Sequence, residues 1–541
     1  MPHPHRSRTR HAVLMAVLAA TGLALAACAA PAEPEPGDDA GGVPADGGTL
    51  TIGIHADPGT LDPTFASTFT SVSVFNAMCE QLYAVDADGR VTPQLADGEP
   101  EFDDEGRVAT VRLREGVRFQ DGTPFDAAAV KATLDRYLTA EGSQRTNELD
   151  ALAEVAVVDE HTVELHLSGP IARGVFDVMF TDRAGIMLSP TAFEAAGADF
   201  ERAPVCVGPF EFSSRVAQDS VVLVPDDEYY DRDEVHLDEL VYRVIPDTSV
   251  RATNLLSGDI DVMEKATPTE LAVLEGGAGV RVEQFPSLGY YNLEINIGNV
   301  AGATEPPGQR DTPLATDARI REALALSLDR EALNAAVFGG AYAPACGFMA
   351  PSSPLASEQT LGCDAPDPER AAELLAEAGV ETPFRIELML NQQPEFRRLA
   401  EAIRSMAGEA GFDVVLDVQE STTAVDRGYA GDFEMYLNSW SGRIDPDANI
   451  SLFAMSSSPR SMSKYHDADV DRLLVEARSS LDDEARVAAY DELDRRLDRD
   501  RPYVYLVRPT NLIGVRDGVL GLEYRPNGSV IAGRAGFAET G

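Results

Sequence analysis

Hydrophobic and polar positions alternate along short segments in the first third of the chain. Residues 50–54 (LTIGI) alternate with a period of two, which predicts a β-strand. The segment 108–125 repeats this alternation and reaches an Asp121-Gly122 turn, which predicts short strands joined by a tight connection. A helix is expected to begin at Asp126, because aspartate is favoured at the N-cap position.

From Thr312 onward the pattern changes to helices that alternate with strands. The segment 367–380 is the best-marked helix, with Asp367 as its N-cap, Pro368 in its first turn and Gly379 just past its end. Further helices and strands are expected at 316–338, 395–411, 412–418, 468–480, 482–497 and 503–507. This alternation predicts a mixed α/β fold, and the length of 541 residues predicts two or three lobes.

The start of the chain has the pattern of an exported lipoprotein. Three arginines precede an uncharged apolar stretch at 12–27, and Leu25-Ala26-Ala27-Cys28 follows the pattern of a bacterial lipobox. We therefore assign residues 1–27 to a lipoprotein signal peptide and expect the lipid on Cys28. The alternative is an ordinary secretory signal in which Cys28 is incidental.

Residues 28–48 are rich in proline, glycine, alanine and acidic residues, and they show no apolar periodicity. A segment of this composition cannot bury enough surface to fold. About 20 such residues reach at most roughly 65 Å when extended. We expect a flexible, lipid-anchored tether that holds the folded part at the outer face of the cell membrane, on the periplasmic side in a Gram-negative cell.

The charge balance narrows the choice of partners. The chain has 44 lysines and arginines against 90 acidic residues, a formal net charge of -46. Nucleic-acid binding is disfavoured, because phosphate contacts need clustered cations. The apolar stretch of the signal is short for a membrane span, and no other segment approaches 18 uninterrupted apolar residues, so no membrane span is expected.

Four cysteines follow Cys28, an even number that suits two disulfides in an exported chain. Cys346 and Cys363 bracket a loop rich in proline, glycine and serine, so we pair them. Cys79 and Cys206 are then paired by elimination. No cysteine or histidine cluster has metal-ligand spacing, and no metal or cofactor is expected.

Six segments, in this order, resemble the oligopeptide, dipeptide and nickel group of bacterial extracellular solute-binding proteins, known as family 5. The most recognisable is VRLREGVRFQDGTPFDAAAV at 111–130, an arginine-led strand followed by a DG turn and a helix start. The likeness covers about 49–531. The other matching segments are 48–63, 206–212, 251–262, 317–330 and 367–379.

The resemblance implies a periplasmic-binding-protein-like fold of type II, with two large lobes joined by a hinge and an inserted third lobe. Lobe II would be the insertion at 81–200, and lobe III would cover 288–500. Lobe I would be discontinuous, at 49–80, 201–287 and 501–541. In this family the ligand binds in the cleft and holds the lobes shut.

The resemblance also implies a function without chemistry of its own. The chain would be the monomeric, extracytoplasmic substrate-binding component of an ABC importer that captures a peptide or related small solute, acidic ones included. It would deliver the solute to permease subunits that work with a separate ATPase. The alternative from another class is an enzyme, a secreted lipoprotein hydrolase, but the sequence contains no GxSxG or HExxH motif. A sensory lipoprotein that presents ligand to a receptor stays open.

By resemblance, the segment 438–447 (NSWSGRIDPD) lines the cleft and contains the only tryptophan of the chain, Trp440. Peptide-binding members carry an aspartate three residues after this tryptophan, whereas this chain has Arg443. We hypothesise that Trp440 stacks on the ligand and Arg443 anchors an acidic group, with Asp445 as a replacement anion. Alternatively, Arg443 pairs with Asp445 or Asp447 and only makes the loop rigid.

Secondary candidates come from the same resemblance. Asn438 and Ser439 belong to the cleft-lining segment, and Phe69 lies in a part of lobe I that faces the cleft in relatives. Tyr291 and Asn292 begin the first strand of lobe III near the hinge. For the aromatic residues a place in the core is the alternative, and Asn292 would then only fix a turn.

Overall fold

The computed structural model of the protein describes residues 42–86, 89–103, 105–146 and 148–539. The predicted signal peptide, the lipidation site Cys28 and most of the predicted tether lie outside the described residues. Within these ranges, no helix is both long enough and apolar enough to cross a membrane.

Strands and helices alternate through the described residues. The strands are β1 Thr49–Ile54, β2 Tyr83–Val85, β3 Val91–Pro93, β4 Glu101–Phe102, β5 Val108–Arg112, β6 Leu152–Asp159, β7 Thr162–Leu167, β8 Phe210–Val216, β9 Ser220–Pro225, β10 Glu239–Val244, β11 Val262–Met263, β12 Val280–Pro286, β13 Tyr290–Ile295, β14 Ala343–Pro344, β15 Phe384–Asn391, β16 Phe412–Gln419, β17 Met435–Trp440, β18 Tyr503–Arg508, β19 Thr510–Arg516, β20 Val519–Leu520, β21 Glu523–Tyr524, β22 Val530–Ile531 and β23 Gly536–Phe537.

The α-helices are α1 Phe69–Met78, α2 Ala127–Thr139, α3 Arg173–Met179, α4 Pro190–Ala196, α5 Thr248–Ser257, α6 Pro268–Glu275, α7 Pro313–Thr316, α8 Ala318–Leu326, α9 Arg330–Phe338, α10 Pro368–Ala378, α11 Pro394–Glu409, α12 Ser421–Ala430, α13 Asp447–Ala454, α14 Ala468–Ser479 and α15 Asp483–Asp500. Short 3₁₀ turns occur at Arg183–Gly185, Gly197–Arg202 and Arg232–Glu234. The predicted mixed α/β class is confirmed.

Lobe I is built on a seven-stranded sheet in the order β12-β19-β11-β1-β10-β9-β8. Its strands come from three separate parts of the chain, and β1 runs parallel to β10 and β11 in the middle. The alternation that predicts β1 sends Leu50, Ile52 and Ile54 into the core, where all three are fully buried. Lobe I is therefore discontinuous in sequence.

Lobe II carries an antiparallel four-stranded sheet in the order β4-β5-β7-β6. The helix α2 packs on β6 and begins after Asp126, whose carboxylate accepts a hydrogen bond from the Ala129 backbone N–H. Buried side chains of lobes I and II form one continuous hydrophobic cluster. These two lobes are thus expected to behave as one folding unit.

Lobe III has its own hydrophobic cluster and a six-stranded sheet in the order β14-β18-β13-β17-β15-β16. The strand β18, Tyr503–Arg508, pairs with β13 in this sheet, although the sequence-based division assigns it to lobe I. Lobe I resumes only at β19, so the last boundary moves from 500/501 to Pro509. All six residues of β18 are buried, and the apolar and aromatic run Tyr503–Val507 suits the centre of either sheet, which explains the misplacement.

The helix predicted over 316–338 begins at the expected Asp317 cap, after the short α7, and is divided into α8 and α9. The Asp317 carboxylate accepts a hydrogen bond from the Arg319 backbone N–H, and the Asp329 carboxylate accepts one from Ala332. Each aspartate therefore starts a new helix, and local capping outweighs the continuous apolar spacing. The helix α10 has the predicted Asp367 cap and ends at Gly379 in the left-handed conformation.

The chain passes from lobe I to lobe III after β12 and returns after β18. These crossings are bonded to each other, because the Ser287 backbone N–H donates to the Pro509 carbonyl at 3.0 Å. The buried Arg508 guanidinium also donates to the Leu288 and Gly289 carbonyls at 2.9 and 2.8 Å. Adjacent crossings of this kind form a hinge.

Both predicted disulfides are confirmed. Cys79–Cys206 joins the end of α1 to the segment before β8, and Cys346–Cys363 closes a loop within lobe III.

Candidate functional site

A cavity of about 340 Å³ lies between lobes II and III. Its lobe II wall is formed mainly by α3, and its lobe III wall by the loop after β17 and by α13. A volume of this order suits a small organic ligand. The lining residues are Gln144, Glu148, Asp150, Val175, Val178, Met179 and Asp182 from lobe II, and Trp440, Arg443, Asp445, Asp447, Ala448, Ser451, Leu452, Met455, Ser457, Ser458, Pro459, Arg460 and Arg478 from lobe III.

A second cavity of about 450 Å³ adjoins the first and is lined by all three lobes. Lobe I contributes residues of α1 and Asn527, among them Phe69. The two cavities share lining residues from lobes II and III, so they are neighbouring parts of one interlobe cleft. The shared residues are Gln144, Glu148, Asp182, Trp440, Arg443, Pro459 and Arg460.

The loop after β17 is held in place by Asn449 of α13. Its side-chain oxygen accepts hydrogen bonds from the Trp440 indole N–H at 2.9 Å and from the Arg443 backbone N–H at 2.7 Å. Its amide nitrogen donates to the Arg443 carbonyl at 2.8 Å. Gly442 has a φ of +81°, and a Cβ there would lie 2.3 Å from the Leu288 carbonyl carbon, so only glycine fits this turn.

The Arg443 guanidinium faces the cleft and interacts with its own loop. Its Cζ lies 4.9 Å from the centre of the Trp440 ring, a cation–π distance. Its Nη1 donates to the Ser441 hydroxyl at 3.2 Å and to the Gly442 carbonyl at 2.8 Å. Across the cleft, its Nη2 lies 3.9 Å from the Asp182 carboxylate of lobe II. Arg443 therefore links the two walls.

The pairing of Arg443 with Asp445 or Asp447, one of the two sequence-based alternatives, does not occur within the described part of the chain. Asp445 instead forms an ion pair with Arg486, whose Nη2 lies 2.7 and 2.8 Å from the two carboxylate oxygens of Asp445. Asp447 accepts a hydrogen bond from the Ser451 hydroxyl at 2.5 Å and lies 3.7 Å from Arg478 Nε. Both aspartates are buried and already have partners.

The carboxylates of the cleft differ in pKa. Burial opposes ionisation of Asp182, but Arg183, Arg443 and Arg145 outweigh it and lower its pKa to about 2. Burial raises the pKa of Asp447 to about 6, with Arg478 opposing the shift. Asp182 is therefore a permanent anion in the cleft wall.

Arg460 differs from the other arginines of the cleft. It lines both cavities and its side chain is exposed. Arg145, Arg183, Arg443 and Arg478 are all engaged with carboxylates or carbonyls, whereas no described residue accepts a hydrogen bond from the Arg460 guanidinium. It is thus a cation available to a ligand.

The secondary candidates lie in different places. Phe69 lines the second cavity, with Lys265 Nζ 3.9 Å from the centre of its ring. Asn438, Ser439 and Asn292 line a much smaller cavity behind Trp440. Tyr291 packs against Phe338, Tyr342 and Phe396 and donates to Glu395 at 3.1 Å. It lines neither large cavity and belongs to an aromatic cluster of lobe III.

Lobe II supplies cleft residues that the sequence analysis does not single out. Gln144, Glu148 and Asp182 lie on short connections between elements, with no motif around them. The Glu148 carboxylate accepts a hydrogen bond from Arg145 Nη1 at 2.6 Å. Burial raises the pKa of Glu148, while Arg145 opposes this. In the described residues, no group of histidine, cysteine and acidic side chains could hold a metal ion.

The stability of the fold is expected to depend on pH through Glu294, which lines the small cavity behind Trp440. Burial raises its pKa from 4.5 to about 7, against hydrogen bonds from Asn438 and the Ser463 backbone. The folded state then keeps a proton that the unfolded chain loses, so stability is full below about pH 4.5 and falls as the pH rises to about 7. The loss is about 3 kcal/mol.

Urea unfolding at several pH values checks this expectation. The free energy of unfolding of the wild type, relative to Glu294→Gln, should fall by about 3 kcal/mol between about pH 4.5 and pH 8. A difference that stays constant with pH contradicts the raised pKa.

The fold and the cleft together define a class, that of binding proteins whose hinged lobes enclose a small solute. The chain belongs to one family of this class: the profile described as "Bacterial extracellular solute-binding proteins, family 5 Middle" matches residues 90–462. The predicted family is confirmed, and with it the predicted solute-binding function. Its members are binding proteins rather than enzymes.

Similar proteins agree with this assignment. The chain is 28% identical over 476 residues to the glutathione-binding protein GsiB of Salmonella typhimurium, which covers 85% of this chain and 88% of GsiB. The ABC transporter substrate-binding protein CtaP of Listeria monocytogenes superposes with a TM-score of 0.80 at 22% identity, covering 91% of this chain and all of CtaP. AgaA of A. tumefaciens R10, solved with agropinic acid, gives a TM-score of 0.76 at 25% identity, covering 91% and 99%. The periplasmic-binding-protein-like fold of type II is confirmed.

Proposed function

We propose that this protein is the extracytoplasmic substrate-binding component of an ABC importer. It captures a small acidic solute, a peptide or a related compound, in the interlobe cleft and delivers it to permease subunits. Family membership supports the binding role, and the ABC transporter protein CtaP supports the importer. GsiB is named as a glutathione-binding protein and AgaA was solved with agropinic acid, and both compounds support a small acidic solute.

The charge of the second cavity carries the proposal. Among the described residues that line it, the arginines Arg145, Arg183, Arg443 and Arg460 stand against two carboxylates, those of Glu148 and Asp182. The whole chain has a net charge of -46, so its surface repels anions. A local excess of arginine in such a protein therefore marks the place where an anionic group is neutralised.

Two arginines have separate tasks in this proposal. Arg460, whose guanidinium has no partner among the described residues, forms a bidentate pair with a ligand carboxylate. Arg443, fixed over Trp440 and facing Asp182, orients the ligand between the lobes. The exposed part of Trp440 offers a flat apolar surface beside both cations.

Replacing Arg460 with glutamine is expected to weaken binding of the natural solute at least tenfold, because its carboxylate loses a charge-assisted pair. Arg443→Gln should have the same direction of effect. Isothermal titration calorimetry measures both. Arg202→Gln is the matched control, because Arg202 is an exposed arginine that lines neither cavity and is paired with Asp199 at 3.3 Å. Unchanged affinity in both cleft variants contradicts an acidic solute.

Native mass spectrometry of the gently purified protein identifies the solute. A closed cleft retains its ligand, so the proposal expects an excess mass that disappears on denaturation. A single acidic compound or a set of acidic peptides supports the proposal. A retained neutral or basic compound contradicts the acidic part of the proposal.

The same proposal includes no catalytic role. Asp445 and Asp447, an acidic pair of the kind that acid–base catalysis needs, are occupied by Arg486, Arg478 and Ser451. No turnover of peptides or glycosides is expected in a mass-spectrometric assay of incubated substrates.

We also propose that Cys28 carries a lipid and that the segment 28–48 tethers the folded part to the outer face of the membrane. Cys28→Ala is expected to move the exported protein from the membrane fraction to the soluble fraction, as measured by immunoblotting. An unchanged distribution of the variant between the fractions would contradict the lipid anchor. A mass of the exported wild-type protein that includes no lipid would contradict it as well.

A further inference from the structure

The first cavity has an apolar part that the acidic function does not use. On one side lie Val175, Val178 and Met179 of α3, and on the other Leu452 of α13 with Met455 just after it. All but Val175 are partly exposed to the cavity rather than fully packed into the core. Two short helices of different lobes thus present apolar side chains to each other across the first cavity, whose volume is about 340 Å³.

The polar groups of this cavity are largely neutralised within the protein. Arg478 Nη2 lies 2.7 Å from the Asp150 carboxylate, and Arg486 holds Asp445. What remains accessible to a ligand is mainly the apolar surface of the two helices. Burying an apolar group there is favourable in proportion to its area.

The boundary between the two cavities carries Trp440, Arg443 and Arg460. A solute that reaches both cavities therefore lies against these two arginines. Its anionic part is at the arginines and its apolar part is in the first cavity. Methionine side chains adapt to different apolar shapes, and Met179 and Met455 lie on opposite walls. The arginines, in contrast, require a fixed carboxylate geometry.

We propose that the solute is a small amphiphilic acid, with a carboxylate head at Arg443 and Arg460 and an apolar tail between α3 and α13. This inference rests on the proposed function and adds the tail. The site is strict for the head and tolerant of the shape of the tail.

A series of N-acyl glutamates tests the proposal by calorimetry on the full folded chain. The affinity is expected to rise from N-acetyl to N-butanoyl to N-hexanoyl glutamate, about fourfold for each added methylene. N-hexanoyl glutaminamide, which keeps the tail and lacks both carboxylates, should bind at least tenfold more weakly than N-hexanoyl glutamate. An affinity independent of chain length overturns the proposal, and so does a series in which no member binds.

Two variants on opposite walls, Met179→Asn and Leu452→Asn, separate the tail from the head. Each is expected to flatten the dependence on chain length and to leave the affinity for N-acetyl glutamate within about twofold. Val216→Asn, at a lobe I strand position that is 60% exposed, is the matched control. Chain-length dependence that persists in both cleft variants overturns the placement of the tail.

Native mass spectrometry distinguishes failure of this inference from failure of the proposed function. A retained acidic solute without an apolar part overturns the amphiphilic proposal and leaves the acidic binding function intact. A retained solute without a carboxylate contradicts both.

Discussion

Gly174→Ala is expected to weaken solute binding about a hundredfold without destabilising the fold. Gly174 lies in α3, and a Cβ there would be 2.5 Å from Asp445 Oδ2 and 3.3 Å from Arg486 Nη1. Asp445 cannot move away, because Arg486 binds both of its oxygens. Lobe II must therefore retreat from lobe III, and the closed cleft is lost.

The same contact carries further interlobe bonds. The Ala172 backbone N–H donates to the Arg478 carbonyl at 2.8 Å, and the Arg478 side chain reaches Asp150 at 2.7 Å. A Cβ at position 174 would disrupt these contacts between lobes II and III. If the closed state is penalised by about 3 kcal/mol, the apparent affinity falls by about a hundredfold.

The open protein should not suffer, because alanine favours helices over glycine by about 1 kcal/mol. The matched control is Gly408→Ala in α11, where a Cβ would meet no other described residue within 4 Å apart from its chain neighbours and its own helix backbone. Calorimetric titration gives the affinities, and urea unfolding of the ligand-free proteins gives their stabilities. Wild-type affinity in Gly174→Ala would show that binding does not require this contact between the lobes.

Local signals along the chain predict much of the fold. The Asp367 cap, Pro368 and Gly379 delimit α10, and the alternation at residues 50–54 predicts β1 and its buried face. Each of these features depends on neighbours within a few residues. The break between α8 and α9 is missed because apolar spacing continues through it, although the Asp329 cap that causes the break is visible in the sequence.

Only part of the candidate site can be predicted from such local signals. Trp440 and Arg443 stand in a segment that resembles the family, and the structure places both in the cleft wall. Asp182 and Arg460 lie beside them because lobe II faces lobe III in the fold, and no spacing in the sequence encodes that approach. Tyr291 is the reverse case, because it packs in the aromatic cluster with Phe338, which is the core position that the sequence leaves open as its alternative.

Removing the two disulfides separately is expected to destabilise the protein by different amounts. Cys79–Cys206 closes a loop of 127 residues and Cys346–Cys363 one of 17. Without its cross-link the unfolded chain gains conformational entropy. This gain lowers the free energy of unfolding by about 5 kcal/mol for the long loop and about 3 kcal/mol for the short one. The double variants to compare are Cys79→Ala with Cys206→Ala, and Cys346→Ala with Cys363→Ala.

Guanidinium unfolding monitored without reductant measures both losses. The long-loop pair belongs to the hydrophobic cluster shared by lobes I and II, whereas the short loop lies beside the separate cluster of lobe III. If the two clusters unfold as separate units, each double variant shifts only the transition of its own unit. Equal losses in a single shared transition would contradict the chain-entropy argument. They would show that contacts across the cleft, such as the one at Gly174, couple the lobes even without a solute.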